Sequence, residues 1–471
     1  METQLSTRLW SASSSVFDPW FRQKKAREKS RAFFLHVFSR KSAHDCRDAD
    51  CLGMQMKSNP TSDIVSQQYA RWMYPQPILD ISVWVENNWQ WFDPSHAHQF
   101  FWPDREYKPD LDILVAGCGT NQAGIIAFKN PHAKVVAIDI SQPSLDHHAY
   151  LKAKHRLDNL EVRRLPIEDV QKLGLDFDLI ISTGVLHHLA SPEKGMSALA
   201  ACLRPDGVAA IMLYARSGRT GVEMLQSVFR EMGLGQNETS LVMVREALKV
   251  LPQDHPLRSY LSVAPDLQYD AGLVDTFLHG RDRSYTVNDC IELVSSCGLV
   301  FQDIFLKTSY YPPQKQRSAF YAAVAELPDR HQWSIMERIN HRNACHFFVA
   351  CHADRTAGSY VVNFDGEDYR TYVPHYRYRC GFNGQAIYKP SWKLDLGPAQ
   401  AAVACLIDGH RAIAEIADAA SDAVRSVTGT GDPALFTKEL FRSLWQTDYL
   451  AFQFPAQKPP QAKSRLRKTS A

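Results

Sequence analysis

The ten cysteines of this 471-residue chain (positions 46, 51, 118, 202, 290, 297, 345, 351, 380 and 405) include no CxxC pair. In a chain of this size that excludes a zinc-ribbon spacing and a disulfide framework, and points to reduced, mostly buried thiols in a cytoplasmic protein with no structural metal. No stretch of 18 apolar residues occurs; the longest runs, such as 208–215, have the length of a strand, so no membrane-spanning helix is expected. With 53 Lys+Arg against 51 Asp+Glu the net charge is only +2, so no global field draws the chain to nucleic acid and any basic surface must be local. No internal repeat is found. What remains is an ordinary globular composition, 45% hydrophobic and 22% charged, enough for two or three packed domains.

The ends differ from the middle. Basic residues crowd positions 22–41 around Phe33-Phe34-Leu35 without an uninterrupted apolar core, so a secretory signal is not expected. This Arg- and Ser-rich start reads either as a transit peptide or membrane-surface helix, or as a weakly ordered extension that precedes Met54 and Met56; the second reading is preferred. Residues 457–471 read as a disordered basic tail.

Between them, strand-like runs at 112–116, 134–140, 161–165, 177–182 and 207–215 alternate with helical stretches at 123–128, 143–157 and 193–203, the last stopped by a turn at 204–207. Strand–helix alternation implies right-handed βαβ units and an α/β, doubly wound open sheet, which binds ligands beyond the carboxyl ends of its strands. Function should therefore gather at 117–122, 139–141, 166–169, 183–189 and 214–219.

Gly117-Cys118-Gly119 leaves the first strand and opens a helix, a turn that lets a ligand press against bare backbone. Asp139 ends the second strand 22 residues after Gly117, where a carboxylate can accept both ribose hydroxyls; as an alternative it caps a helix, a role open to Ser141. Gln122 occupies the third small-residue position of the dinucleotide fingerprint, which argues against a pyrophosphate. A nucleoside lacking one, such as S-adenosylmethionine, tolerates that change.

Over 111–353 the sequence resembles the class I S-adenosylmethionine-dependent methyltransferases, through Ile113-Leu-Val-Ala-Gly-Cys-Gly-Thr120, Val136-Ala-Ile-Asp-Ile-Ser141, the segment from Phe177 to Leu189 and Leu203-Arg-Pro-Asp-Gly207. The resemblance implies a seven-stranded sheet whose last two strands are 299–306 and 345–351, preceded by a helix at 287–297. As cofactor it implies S-adenosyl-L-methionine, held by Ala116, Gly117, Cys118, Gly119, Thr120, Gln122, Asp139, Ile140, Ile167, Glu168, Thr183, Gly184 and Val185. The chain departs from the family pattern at Val115, Asn121 and Pro166, where many members carry an acid, a glycine and an acid. It further resembles a bacterial subgroup with a Gln68-Tyr69…Tyr74-Pro75 arm and the block Asp275-Thr-Phe-Leu-His279…Arg283-Ser-Tyr-Thr286. That arm, 61–110, implies a helical lid.

Methyl transfer asks mainly for alignment and exclusion of water, with a base where the acceptor is protonated. Candidate bases are His187, His188 and Tyr214. Residues 216–286 are too long for a simple connection and are expected to form a helical cap. Candidates for binding the acceptor are Tyr69, Arg71, Tyr74, Arg216, Arg219, His279, Arg283 and Tyr285; inward-facing guanidinium groups would suit a carboxylate or phosphate. Residues 354–456 resemble a small α+β winged-helix module, with Asp408-Gly-His-Arg411 between two helices. Three readings stand: methyl transfer to a small molecule; transfer to a protein or RNA delivered by this module; and a non-catalytic, cofactor-binding regulator.

Overall fold

The computed structural model describes residues 60, 62–313, 318–390, 392–429 and 431–455. The expectations for 22–41 and for the tail lie outside these residues. Seven strands make one sheet: β1 (Asp112–Ala116), β2 (Lys134–Asp139), β3 (Leu160–Arg164), β4 (Phe177–Thr183), β5 (Leu203–Tyr214), β6 (Leu299–Ile304) and β7 (Cys345–His352). Their order is β3-β2-β1-β4-β5-β7-β6, with β7 antiparallel to both neighbours and the first five strands parallel. β1 is apolar on both faces because both are covered. Ile113 and Val115 face one core with Ile81, Phe92 and Phe101, while Leu114 and Ala116 face another with Ile138, Leu186 and Leu199. The strand order reverses at β1 and β4, which opens the crevice between their carboxyl ends.

The turn expected at 204–207 is instead the irregular start of β5: Phe177 pairs with Leu203, then Leu179 with Val208. Arg204 explains the detour, since its guanidinium forks to Asp112 at 2.6 Å and Asp178 at 2.7 Å, tying β5 to the starts of β1 and β4.

Three short helices precede the sheet: α1 (Ile64–Arg71), α2 (Ile81–Asn87) and α3 (Pro94–Phe101). Each starts on an aspartate, Asp63, Asp80 or Asp93, whose carboxylate accepts first-turn N–H groups. The expected cap is present as four helices, Arg216–Glu231, Glu238–Val250, Leu257–Leu261 and Asp270–Phe277, around Val222, Phe229, Leu241, Val244, Leu273 and Phe277.

Beyond β7, β8 (Val373–Tyr376) pairs with β12 (Leu450–Gln453), and β9 (Gly381–Phe382), β10 (Ala386–Lys389) and β11 (Trp392–Asp395) form a small antiparallel sheet. Helices Pro398–Ala404, Ile413–Thr428 and Pro433–Gln446 complete this C-terminal unit. It shares one core with the seven-stranded sheet: Phe441, Leu444 and Trp445 pack with Ile304, Tyr310 and Tyr311. Asp448, at φ +66°, fastens the joint, accepting the N–H groups of Lys307 and Thr308 at 2.9 Å each and pairing with Arg377 at 2.6 Å.

Burial alone would raise the Asp448 acid, but Arg377, Lys389 and these donors hold it below the usual carboxylate value. Its stabilising effect is therefore present above the unfolded pKa of about 4 and lost as pH falls through the depressed folded value. Asp448→Ala leaves Arg377 buried without its partner and should cost about 3–5 kcal/mol. A urea melt checks this: an unchanged midpoint would show that Asp448 does not hold the joint.

Candidate active site

The carboxyl ends of β1, β2 and β4 open into a cavity of about 1560 Å³. At its head the chain turns through Gly117 (φ +74°) and Gly119 (φ +53°), a left-handed pair that only glycine adopts without strain. A Cβ on Gly117 would lie 2.4 Å from Val185 Cγ2. The Asp139 carboxylate accepts the N–H of Gly119 at 2.9 Å and of Ser141 at 2.8 Å. Burial pushes its acid above the usual value. Each oxygen keeps acceptor capacity toward the cavity, as a ribose diol requires.

Of the thirteen residues expected to hold the cofactor, eleven line the cavity: Gly117, Cys118, Gly119, Gln122, Asp139, Ile140, Ile167, Glu168, Thr183, Gly184 and Val185. Gln122 donates to Thr183 Oγ1 at 3.0 Å, bridging the ends of β1 and β4. Two do not line it. Ala116 stays packed inside the sheet, and Thr120 turns away to donate its hydroxyl to Pro75 O at 2.7 Å. Asn121, the departure from the family's third glycine, has its reason here. Its side chain accepts Ile78 N–H at 3.0 Å and donates to Gln76 O at 2.9 Å, so Thr120 and Asn121 strap the N-terminal arm onto the glycine turn. Asp139→Ala should weaken the binding of an adenosyl ligand by roughly 1–3 kcal/mol, measured by titration calorimetry; an unchanged affinity removes Asp139 from the site.

Tyr69 and Tyr74, placed in the site through the subgroup resemblance, both line the cavity. Tyr69 Oη donates to Asp275 Oδ1 at 2.7 Å, and Tyr214 Oη, from the end of β5, to Asp275 Oδ2 at 3.0 Å. Tyr74 Oη donates to Asp266 Oδ2 at 2.9 Å. Burial raises the Asp275 acid above the usual carboxylate value, even with His188 and the two hydroxyls opposing it. Asp266 and Asp275 thus hold three tyrosine hydroxyls in fixed directions, leaving their oxygens as acceptors.

The histidines divide. His188 lines the cavity; its Nδ1 lies 3.0 Å from Arg281 O, so in the neutral ring the proton sits there and Nε2, without a partner among the described residues, keeps the lone pair. His187 is buried behind Tyr214, stacked on it at 3.9 Å, and does not line the cavity; burial holds it well below its ordinary pKa. His279 stacks behind His188 at 3.9 Å and accepts Arg281 N–H at Nδ1.

The other acceptor-side candidates are not brought to the cavity. Arg71, Arg216 and Arg283 are exposed, Arg216 pairing with Asp289 at 3.1 Å. Tyr285 is packed in the core beside Leu293. Arg219 is fully buried, paired with Asp282 at 2.8 Å and lying 3.7 Å from the centre of the Tyr214 ring. Arg216 and Arg219 were expected inward for their charge, and charge alone does not say which side of a cap helix faces inward.

Sequence reasoning missed Asp266, Asp275 as a site residue, and the hydrogen-bonding role of the partly exposed Arg281, which donates to His188 O at 2.7 Å and pairs with Asp63 at 2.6 Å. Two clusters, His187–His188–Asp282 and His188–Asp275–His279, are close enough to share an ion. In the second, the Arg281 N–H on His279 Nδ1 places the neutral ring's proton on Nε2, the nitrogen beside Tyr69. In the first, Asp282 is committed to the permanently charged Arg219. Neither arrangement favours a cation.

Residues 114–209 match a family model described as a methyltransferase domain. An uncharacterized protein of Synechococcus sp. is 30% identical over 249 residues, 50% of this chain and 58% of that protein. The trans-aconitate 2-methyltransferase of Deinococcus radiodurans is 30% identical over 139 residues, 29% of this chain and 50% of the enzyme. The chain spans about half the length of the curated relatives it matches. Among solved structures, PKMT2 from Rickettsia typhi in complex with AdoHcy superimposes with a TM-score of 0.55 at 14% identity, covering 78% of this chain and 76% of that one. The chain has the Rossmann-like methyltransferase fold, as the motifs implied.

Proposed function

We propose that this protein transfers the methyl group of S-adenosyl-L-methionine to a small-molecule acceptor. The observation that carries the reading is the conjunction, in one cavity, of the left-handed Gly117–Gly119 turn and the Asp139 carboxylate that faces it. The methyltransferase-domain match over 114–209 supports it. Bound there, the donor would place its adenosine between Asp139 and the Ile167–Glu168 loop. The sulfonium supplies an already activated methyl, so the residues have only to align it and exclude water.

The acceptor's attacking atom forms the new bond to the methyl carbon as the carbon–sulfur bond breaks, its electron pair passing to sulfur to give S-adenosylhomocysteine. Where the acceptor carries a proton, His188 Nε2 would take it, because it has no hydrogen-bond partner among the described residues and the Arg281 carbonyl fixes the ring. Tyr69, Tyr74 and Tyr214, oriented by Asp275 and Asp266, hold the acceptor in line. Their acid-backed oxygens also suit the positive charge of the sulfonium.

Calorimetry with S-adenosylhomocysteine, followed by profiling of metabolite pools with a labelled methyl donor, tests the reading. Binding at micromolar affinity and label appearing in a small molecule are expected. Binding with no transfer to any pool would favour the regulatory alternative. Label in protein or RNA would favour the macromolecular one, which the C-terminal unit's place in the cavity wall keeps in view.

A further inference from the structure

The cavity is larger than a single ligand of ordinary size needs, about 1560 Å³ against roughly 300–1,000 Å³. Besides the residues around Asp139, its lining takes in the N-terminal arm and the C-terminal unit, and this second part of the wall is aromatic. The arm contributes Trp89 and Trp91, whose ring centres are 4.3 Å apart; Tyr378 of the C-terminal unit stacks on the arm's His96 at 4.1 Å and stands 6.0 Å from Trp89. Burial holds His96 down to about 4, so it is a neutral ring at physiological pH. Arg379 closes the seam, donating to the carbonyls of Val85, Glu86 and Asn87, the last turn of α2. The chamber is therefore a walled aromatic slot.

Its charges do not balance. Arg377, Lys389 and Asp448 belong to this part of the wall, and Asp448 is taken up by Arg377. Lys389 donates to the carbonyl of Thr447 at 2.9 Å, lies 4.8 Å from the face of Tyr449 and feels the same Asp448 carboxylate, so two cations share one carboxylate that Arg377 already holds at 2.6 Å. A half-buried ammonium in aromatic surroundings is costly unless something supplies the opposite charge.

We infer that this chamber is a binding site for a flat aromatic body bearing one anionic group, stacked against Trp89 and Tyr378 with the anion on Lys389, and that it seats the part of the acceptor remote from the reacting atom. Only the second half of this inference rests on the methyltransferase reading; the binding site itself does not. It makes the C-terminal unit a wall of the catalytic cavity and a determinant of which acceptor fits.

The probes are benzoate, 1-naphthoate and 4-phenylbenzoate, each with its neutral alcohol, titrated calorimetrically into the full chain in the presence and absence of S-adenosylhomocysteine. At least one carboxylate should bind about tenfold more tightly than its alcohol. Lys389→Met should remove that preference while leaving S-adenosylhomocysteine affinity within twofold, and Trp89→Leu should weaken acid and alcohol alike. Phenyl phosphate in the same series tells a carboxylate preference from a phosphate one. No binding by any carboxylate, equal binding of acid and alcohol, or a preference that survives in Lys389→Met overturns the proposal. Probe binding without S-adenosylhomocysteine binding would instead leave the chamber standing and remove the cofactor reading.

Discussion

Gly117→Ala should bind S-adenosylhomocysteine about 30-fold to 5,000-fold more weakly than the parent chain. Two costs add. Alanine at φ +74° pays roughly 1–2 kcal/mol for a left-handed backbone. Its Cβ would also sit 2.4 and 2.6 Å from the two Val185 methyls, distances that force Val185 to move. Val185 lines the cavity at the end of β4, so the displaced side chain would enter the space proposed for the adenosyl group. A collision of this kind costs typically 1–3 kcal/mol. The double variant Gly117→Ala/Val185→Ala separates the two: removing the methyls should restore affinity to within about 30-fold of the parent, the remainder being backbone strain. A double variant as weak as the single one would show that Val185 is not the obstacle.

That turn is also where the sequence was most legible. A glycine pair after an apolar run, then an acid at the end of the next strand, is a local pattern, and local patterns survive folding because the strand itself positions them. The same holds for Ile167–Glu168 and Thr183–Val185, each at the carboxyl end of a parallel strand; all five line the cavity. One expected contact in the same motif, Thr120, failed for a non-local reason, which its neighbour Asn121 shares. Thr120 and Asn121 are spent on backbone groups of Pro75, Gln76 and Ile78, more than forty residues earlier, and nothing in 117–122 announces that partner.

The acceptor side was less legible still. Arg216 and Arg219 are three residues apart on one helix, yet the first is exposed and the second fully buried against Tyr214. Only the packing of the cap helices, set by contacts such as Gly221 against the Leu257 backbone, decides between them. The C-terminal unit was read as an accessory; its wall of the cavity depends on Arg379 and Asp448, single residues on connecting segments whose partners lie hundreds and over a hundred positions away.

The buried acid in the cap gives the second large effect. Asp275→Asn should lower kcat about 10- to 100-fold while leaving S-adenosylhomocysteine affinity within about threefold, because it lies behind the tyrosines. The carboxylate accepts from Tyr69 and Tyr214 at once, a charge-assisted pair that fixes both hydroxyls. The asparagine amide can accept only one of them and presents an NH₂ group to the other. Burial raises the native acid, so protonation competes closer to neutrality than for an ordinary carboxylate. As pH falls through that raised pKa, the neutral acid loses one of its two acceptor roles and activity should fall with it; above it, both hydroxyls are held. The parent chain should therefore show an acid limb in kcat above the ordinary carboxylate range, and Asp275→Asn should lack it while running at its low level across that range. Tyr214→Phe serves as the control: its ring still stacks on His187 and beneath Arg219, so a loss of kcat there reports the missing hydroxyl and not a collapsed site. An acid limb that persists unchanged in Asp275→Asn would assign the titration to another group and return Asp275 to a purely structural role.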